Sequence, residues 1–410
     1  MEIQSETAQL ARRQEPRREF PAQVGAVVIG GDYQGLGIVR SLGRRGVPVC
    51  IIDDENSIAR FSRYATHSFR VKELRDEQAC VETLLRIGRE MSLQGWVLYP
   101  TREETVAALA RNREELSQHF RVPTPSWNTI EKAWDKRSSY KTAQELGIPT
   151  PRTWVCHDAS DLERIEGDPP FAIKPAIKEH FFYATKAKAW RANSRAELRE
   201  LFNLANKHIA CEEVLVQELI PGDGSKQFGY CAFFKDGQAV ASMVVQRRRQ
   251  HPPEFGRAST YVRTVDLPVL ESLSERFLRR IDYYGLIEVE YKLDDRTQEF
   301  KLLDVNARTW GYHSIGAAAG VDFPYLLFAD QVGLGSPAEH CRARVGVGWV
   351  RMTTDIPTAL VEIANRRLTI AEYIKSVRGT SVDGVFCLED MKPGLAEISL
   401  LPYMFLKRGF

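Results

Sequence analysis

Short apolar runs alternate with amphipathic segments in the first quarter of the chain. Val24–Ile29, Val47–Ile52 and Gly95–Tyr99 are short runs rich in β-branched or aromatic residues, which is typical of buried strands. Leu36–Arg45 and residues 77–93 repeat apolar positions at helical spacing. Because strands that alternate with helices form parallel sheets, this part is predicted to be a parallel α/β domain.

The pattern changes after Pro123-Thr-Pro125, where two prolines disfavour helix and mark the predicted end of the first domain. Beyond it, a hairpin is predicted to join Phe228–Phe234 to Ala239–Gln246 over the turn Lys235-Asp-Gly237. Further predicted strands are Thr153–Cys156, Phe171–Lys174 and Val214–Leu219, and predicted helices cover residues 127–147, 194–206, 267–283 and 316–334. Residues 176–188 are predicted to form a loop or hairpin. The tail beyond 336 is predicted to hold a strand at 347–353 and helices near 357–365 and 370–376.

Composition restricts the classes of protein. A chain of 410 residues predicts two or three domains, and 43% apolar with 27% charged residues is typical of a soluble globular protein. No apolar run approaches the roughly 18 residues of a membrane span, and a net charge of +2 does not favour nucleic-acid binding. Seven scattered cysteines without a Cys-x-x-Cys pair favour a reducing cytoplasm over zinc or disulfides. Residues 1–20 are predicted to be a flexible polar tail.

Acidic side chains mark the ends of two further predicted strands. Glu288 and Glu290 share one face of the first strand, and Asp304, Asn306 and Arg308 share one face of the second, because side chains alternate along a strand. A polar turn joins the two strands as a hairpin. Oxygen ligands on rigid strands suit a hard cation such as Mg²⁺ bound to phosphates, and an adjacent arginine suits an anionic intermediate. The hairpin therefore predicts a nucleotide-using enzyme.

Three other features are ordinary when each is taken alone. Lys136 stands at a helix start, and Lys174 ends an apolar strand before Pro175; a lysine there often only reaches solvent. Val216–Asp223 is a strand followed by a turn, which can offer backbone groups to adenine and a carboxylate to ribose. An edge strand with a turn is the simpler interpretation of that segment.

Taken in order, these features resemble the ATP-grasp superfamily over about residues 21–335. The ordered set is Lys136, Lys174-Pro175, Gln217–Asp223, Glu290 and Asp304-x-Asn306-x-Arg308. The resemblance implies a mixed α/β and α+β chain, in which a Rossmann-like pre-ATP-grasp domain precedes a two-lobed ATP-grasp fold. The expected domains are the tail 1–20, the α/β domain 21–125, the ATP-grasp domain 126–335 with a lid lobe at about 153–212, and an extension 336–410 that packs on it.

The resemblance also implies roles for these residues. ATP would be bound by Lys136, Lys174, Gln217, Glu218, Ile220 and Asp223. Mg²⁺, with Mn²⁺ as an alternative, would be held by Glu290, Asp304 and Asn306. Arg308 would stabilise the transferring phosphoryl group, and Lys174 would neutralise phosphate charge. Independently of the resemblance, one or two arginines of the run at residues 247–249 could clamp a substrate carboxylate or the γ-phosphate, because a guanidinium offers two parallel N–H donors. Strand alternation places Arg247 and Arg249 on one face, and Arg249 is the preferred candidate.

A closer resemblance rests on four short motifs, at residues 30–37, 59–64, 99–101 and 306–311. They are similar to bacterial carboxylate–amine ligases akin to D-aspartate ligase and to carbamoyl-phosphate-synthase-like ATP-grasp proteins. Such a ligase uses ATP to convert a carboxylate to an acyl phosphate, which an amine attacks to form an amide. The expected partners are therefore a small carboxylate and a small amine, with no nucleic acid or membrane, and a homodimer is left open.

One feature departs from that pattern. The segment after Lys174 carries bulky residues in place of the glycines of a phosphate-covering loop, so Lys186 or Lys188 becomes a candidate phosphate contact. A degenerate nucleotide-binding or regulatory protein is the alternative that this segment supports. Gly30–Gly37, followed by Asp53, also resembles a dinucleotide fingerprint, although its spacing is not Gly-x-Gly-x-x-Gly. A dehydrogenase is a third hypothesis.

Overall fold

The computed structural model describes residues 24–252, 255–256 and 258–408, and for residues 404–408 it describes the backbone alone. The predicted tail at residues 1–20 lies outside the described residues. Within them the chain forms one parallel sheet and two largely antiparallel sheets, so the predicted mixture of α/β and α+β structure is confirmed.

The first part of the chain is a parallel sheet in the order β3-β2-β1-β4. Its strands are β1 (Ala26–Ile29), β2 (Val49–Asp53), β3 (His67–Arg70) and β4 (Val97–Pro100), and its helices are α1 (Tyr33–Gly43), α2 (Glu77–Glu90), α3 (Glu103–Arg111) and α4 (Arg113–Ser117). The pattern did not predict β3, since this edge strand has only one apolar residue, Phe69. The carboxyl ends of parallel strands form the edge at which α/β sheets bind ligands.

A small antiparallel sheet follows, in the order β5-β8-β6-β7. The elements of this region are α5 (Trp127–Trp134), α6 (Lys136–Glu145), β5 (Thr153–Val155), β6 (Phe171–Pro175), α7 (Lys178–Thr185), β7 (Trp190–Ala192), α8 (Arg195–Ala205) and β8 (Val214–Glu218). One helix was predicted over residues 127–147. The structure instead has two, because Asp135 has an extended backbone and caps the second helix.

The prediction of a loop or hairpin at residues 176–188 is wrong. Residues 178–185 form the helix α7, whose residue Phe181 is 1% exposed and contacts Trp190 with ring centroids 4.6 Å apart. Thr185 donates from Oγ1 to the carbonyl oxygen of Phe181, and Lys186 ends the helix in the left-handed conformation. The bulky residues that replace glycine here thus form an anchored helix where a loop or hairpin was expected.

The third sheet has the order β13-β12-β9-β10-β11-β15-β16, with β14 paired to β10. Its strands are β9 (Gln227–Lys235), β10 (Gln238–His251), β11 (Ala258–Val265), β12 (Gly285–Asp294), β13 (Glu299–Asn306), β14 (Cys341–Arg342), β15 (Gly348–Val350) and β16 (Thr380–Asp383). The accompanying helices are α9 (Pro268–Arg280), α10 (Ile315–Ala318), α11 (Phe323–Gln331), α12 (Met352–Ala364), α13 (Ile370–Val377) and α14 (Lys392–Arg408). The predicted hairpin of β9 and β10 is confirmed.

The predicted acidic hairpin is also confirmed. Strands β12 and β13 are antiparallel, with Glu290 directly opposite Asp304 and Glu288 directly opposite Asn306. Side chains that lie opposite one another on the same face of paired strands are close enough to interact. The hairpin therefore gathers the predicted oxygen ligands at one place on the large sheet.

The last part of the chain adds three strands to the large sheet, since β14 pairs with β10, β15 pairs with β11 and β16 pairs with β15. Trp349 of β15 is fully buried and approaches Tyr33 of α1 at 6.1 Å between ring centroids. The pattern predicted neither β16 nor α14. The domain boundaries predicted from the sequence stay predictions. Among the described helices, none is both long and apolar enough to cross a bilayer.

Candidate functional site

A cavity of about 470 Å³ opens between the small sheet and the large sheet. We call it the first cavity. Its walls come from β6 and β8, from the segment 219–223 that links the two sheets, and from β12 and β13. Among the described residues that line it, eight are basic and four are acidic. An excess of positive charge in a cleft attracts polyanions such as phosphates.

Lys136 projects into the first cavity from the start of α6. Its Nζ lies 3.0 Å from Oδ1 of Asp304, and its side chain is 7% exposed. Burial alone would lower the pKa of Lys136, but the Asp304 carboxylate outweighs burial and raises it. Lys136 is therefore held as a cation beside the acidic hairpin.

Lys174 enters the same cavity from β6 and donates from Nζ to Oε1 of Gln217 at 3.3 Å. Burial and the nearby charge of Lys136 lower the pKa of Lys174 to about 8. An anionic ligand between the two lysines would relieve this repulsion. Gln217 itself donates from Nε2 to Tyr140 and Thr153, so its buried amide positions Lys174.

Residues 219–223, which link the two sheets, line the first cavity with backbone groups and with the carboxylate of Asp223. Glu218 precedes this segment at the end of β8. The carboxylate of Glu218 is already engaged, since it accepts from Nζ of Lys301 at 2.6 Å and lies 3.3 Å from Arg296. The N–H of Glu218 donates to the carbonyl oxygen of Arg152, just before β5, at 2.9 Å. The carbonyl oxygen of Ile220 accepts from Lys292, and Asp223 caps the turn at Ser225. All three predicted residues line the cavity, but Glu218 does not offer its carboxylate to a ligand.

The acidic hairpin forms the floor of the first cavity. Glu290 pairs with Arg247 at 3.2 Å, and Asn306 donates from Nδ2 to both Glu288 and Glu290. Burial would raise the pKa of Glu290, but Arg247 and Lys188 outweigh burial and lower it. The pKa of Asp304 is lowered in the same way, chiefly by Lys136. Both carboxylates are thus kept ionised, as a cation ligand requires.

The three predicted metal-binding residues can hold a hard cation only if the amide of Asn306 takes part beside the carboxylates of Glu290 and Asp304. Within the described part of the chain, no group of three His, Cys, Asp or Glu side chains is arranged to hold a metal ion. Glu290 and Asp304 supply two ionised carboxylates. Asn306 lies beside them, but its Nδ2 donates to Glu290 and its Oδ1 accepts from Arg308, so the amide must turn to offer its oxygen to an ion. Two carboxylates that leave positions open suit Mg²⁺, which commonly takes its remaining oxygens from water and substrate phosphates.

A second cavity, of about 230 Å³, adjoins the first. It lies between the first parallel sheet and the large sheet, and α7 covers it. Lys178, Lys188, Arg247 and Glu290 line both cavities. The two cavities therefore meet at the acidic hairpin, where a group in one can reach a group in the other.

Arg308 lines the second cavity and connects two parts of the chain. Its Nε lies 2.7 Å from Oε1 of Glu103, at the start of α3, and it donates to Oδ1 of Asn306 at 3.2 Å. Beside it, Tyr312 donates to Glu288. Burial, together with the charge of Glu290, raises the pKa of Glu288 to about 7. The predicted catalytic arginine is thus placed beside the hairpin, but in the second cavity.

Arg249 lies away from both cavities, contrary to its selection as the substrate clamp. Strand alternation fails here because β10 has bulges between Arg247 and Arg249 and between Arg249 and Gln250. The guanidinium of Arg249 instead forms a two-pronged ion pair with Asp355 of α12, at 2.9 and 2.8 Å. Arg247 enters both cavities in its place.

We expect Arg249→Met to lower the free energy of unfolding by about 3–5 kcal/mol, because the substitution leaves Asp355 buried without its cation. Chemical denaturation measures this. ATP affinity of the folded fraction should be unchanged. Arg248→Met, at the adjacent exposed position, is the matched control. If the variant were as stable as the parent protein but bound ATP more weakly, Arg249 would have to contact the ligand, and the structural role given to it here would be wrong.

Several residues of the site were missed or ranked too low. Lys188 was one of two lysine candidates, and it lines both cavities. Glu103 and Glu179 carried no signal in the sequence, because their positions depend on contacts between distant segments. His313 is buried and bonded to the carbonyl oxygen of Gln34, and burial lowers its pKa to about 4, which fits a structural role.

The glycine-rich turn at residues 30–37 lies at the edge of the second cavity, which Tyr33 and Gln34 line. Asp53, the acidic residue of a dinucleotide fingerprint, is 3% exposed. It accepts from the N–H of Gly31 and pairs with Arg102, both at 2.6 Å. The carboxylate that would bind a ribose is therefore occupied by the protein, which weighs against the dehydrogenase hypothesis.

Comparison with known proteins gives consistent results. Residues 211–354 match the family described as ATP-grasp in the biosynthetic pathway with Ter operon. The D-aspartate ligase of Enterococcus faecium (strain Aus0004) is 23% identical over 299 residues, which cover 69% of this chain and 70% of that protein.

Two solved structures share the fold. The L-amino acid ligase from Bacillus licheniformis aligns with a TM-score of 0.60 at 16% identity, over 76% of this chain and 75% of that one. The biotin carboxylase domain of the Hydrogenobacter thermophilus 2-oxoglutarate carboxylase, in complex with MgADP and bicarbonate, aligns with a TM-score of 0.62 at 15% identity, over 80% and 74%.

Proposed function

The chain is an ATP-grasp protein homologous to D-aspartate ligase, and from this premise we propose that it is an ATP-dependent carboxylate–amine ligase. The ATP-grasp resemblance and the fold class predicted from the sequence are thereby confirmed. In the proposed reaction ATP phosphorylates a carboxylate, and an amine attacks the resulting acyl phosphate. The products are an amide, ADP and phosphate.

One observation carries the proposal: the basic first cavity and the smaller second cavity meet at the acidic hairpin. A ligase of this kind must bring a polyphosphate, a carboxylate and an amine to one point. The first cavity has the charge and volume for a nucleotide. The second cavity can hold the remaining substrates, since Arg308 and Arg247 there suit a carboxylate through their paired N–H donors.

ATP is proposed to lie in the first cavity with its adenine against residues 217–220 and its ribose near Asp223. Lys136 and Lys174 would then contact the phosphates. Phosphoryl transfer depends on positioning and charge neutralisation, which these lysines supply. Because Lys174 has a pKa of about 8, phosphate binding should favour its protonated form.

Glu290, Asp304 and Asn306 are the residues proposed to hold Mg²⁺, with Mn²⁺ as an alternative. When bound, such an ion neutralises phosphate charge and orients the transferring group. Lys136 now pairs with Asp304, so the lysine must share this carboxylate with the ion or turn to the phosphates.

Arg308 is proposed to hold the substrate carboxylate and to stabilise the negative charge that develops on its oxygens. Glu103 and Asn306 fix the guanidinium from two sides. Preorganised donors of this kind are effective because they need no reorganisation during the reaction. The small sheet with α7 covers both cavities and would exclude water, which hydrolyses acyl phosphates.

The proposal is tested with carboxylate probes and hydroxylamine. We expect the purified protein, with ATP and Mg²⁺, to release ADP and form a hydroxamate with at least one member of a panel of D-aspartate and the L-amino acids. Hydroxamate is measured by its ferric colour and ADP by a coupled assay. The same panel then supplies the amines. ATP binding without ADP release from any probe would support the degenerate nucleotide-binding protein instead.

A further inference from the structure

Helix α7 brings an additional carboxylate into the second cavity. Lys178 of this helix lines both cavities, whereas Glu179, Phe182 and Tyr183 line the second one. Because α7 is a helix anchored by Phe181, these positions are fixed relative to the acidic hairpin. Glu179 therefore belongs to the part of the site that adjoins Arg308.

The Glu179 carboxylate lacks a partner on one of its oxygens. Its Oε2 atom is buried and accepts no hydrogen bond in the described structure. A buried acceptor without a donor costs free energy, so native structures usually supply a donor from protein, water or ligand. Since Glu179 lines the second cavity, a ligand bound there can supply the donor.

The charges around Glu179 favour a cationic donor. The pKa of Glu179 is raised, chiefly by burial and also by the negative charges of Glu103 and Glu104 on α3. The positive charge of Lys178, on the same helix as Glu179, offsets only part of this rise. Glu103 is already paired with Arg308, and Glu104 accepts from the hydroxyl of Tyr183. Glu104 on α3 and Glu179 on α7 thus place a carboxylate on each side of the gap that a cation would enter.

Contacts with α3 and with the segment before α2 hold α7 over this cavity. The hydroxyl of Tyr183 donates to Oε1 of Glu104 at 2.5 Å, and the guanidinium of Arg75 stacks 4.5 Å from the centre of the Tyr183 ring. Arg75 is in turn paired with Glu55 at 2.6 Å. These contacts fix the position of α7 relative to the second cavity, and they thereby fix the position of Glu179.

We infer that Glu179 binds the ammonium group of the amine substrate and accepts the proton that this nitrogen must lose before it attacks. This inference rests on the proposed ligase function. The proton passes from R–NH₃⁺ to the Glu179 carboxylate. The neutral nitrogen then forms the N–C bond as the C–O bond to phosphate breaks, and the second nitrogen proton leaves with the phosphate. The substrate class is thus an amine that enters as a cation.

The test compares a charged and an uncharged nucleophile in Glu179→Gln, which keeps the size of the side chain and removes its charge. Hydroxylamine is largely uncharged near neutral pH and needs no base. We expect the variant to keep hydroxamate formation within about twofold. With amino acids or methylammonium as nucleophile, we expect kcat/KM to fall about 100-fold, the usual scale for loss of a general base. Glu200→Gln, at an exposed position on α8 of the same lobe, is the matched control.

Each outcome decides between the inference and the function on which it rests. Retained hydroxamate formation shows that the variant is folded and activates the carboxylate. Equal losses with both nucleophiles, or unchanged amide formation, would overturn the role of Glu179. So would a parent protein that uses hydroxylamine but none of the cationic amines. A parent protein that forms no hydroxamate from any carboxylate would overturn the ligase function itself.

Discussion

Replacing Asp304 with alanine is expected to abolish ATP turnover while the protein stays folded. Asp304 lies opposite Glu290 on the hairpin and pairs with Lys136 in the first cavity. The alanine removes one of the two ionised carboxylates that would hold Mg²⁺, and it leaves Lys136 without its anion. We expect the rate of ADP release to fall by a factor of at least roughly 100, in keeping with the loss of a group that neutralises developing charge.

The fold should tolerate this substitution, because Asp304 lines an open cavity where water can solvate Lys136. Circular dichroism and thermal unfolding check the fold, and the coupled assay measures ADP. Asp304→Asn separates charge from shape and should also be inactive. Asp295→Ala, in the exposed turn of the same hairpin, should be fully active. Normal ADP release by a folded Asp304→Ala protein would reject the proposed metal-binding role.

Arg308→Lys is expected to keep ATP binding and to lose most product formation. The guanidinium of Arg308 contacts Glu103 and Asn306 together, and a lysine ammonium cannot reproduce this planar fork. Because Arg308 lines the second cavity and not the first, the affinity for ATP should change little. The rate of product formation should fall by a factor of about 100 or more.

Fluorescent-nucleotide binding and hydroxamate formation measure the two effects separately. Arg280→Lys, at an exposed ion pair with Glu145, is a control for the general effect of the exchange. If Arg308→Lys formed product at the rate of the parent protein, the charge at this position would suffice and the proposed geometric role would be incorrect. If it lost ATP binding instead, the arginine would serve the nucleotide.

The chemistry of the first cavity could be predicted from the sequence to a large extent. The hairpin of β12 and β13 follows from alternation and a polar turn, and it places Glu290 opposite Asp304. Lys136 and Lys174 were found by their order along the chain, and both enter the cavity. Such features depend on neighbouring residues or on order along the chain, so a single sequence is enough to detect them. The roles proposed for these residues stay predictions.

The arginine run shows where local patterns fail. Arg247 and Arg249 are two positions apart and were expected on one face of β10. The bulge between them reverses that expectation, since an extra residue in one strand shifts every later side chain. Bulges depend on pairing with the neighbouring strand, so nothing in the run itself indicates one. Only the partner strand β11 decided which arginine enters the site.

By itself, the sequence determined the change from a parallel α/β part to antiparallel strands, the acidic hairpin, and the order along the chain of the lysines Lys136 and Lys174. These depend on periodicity and on short-range turns, which neighbouring residues specify. The tertiary structure alone decided that α7 is a helix, that Glu103 of α3 holds Arg308, and that Glu179 lines the second cavity. These positions arise where segments far apart in the chain pack together, and long-range packing leaves no periodic signal in either segment.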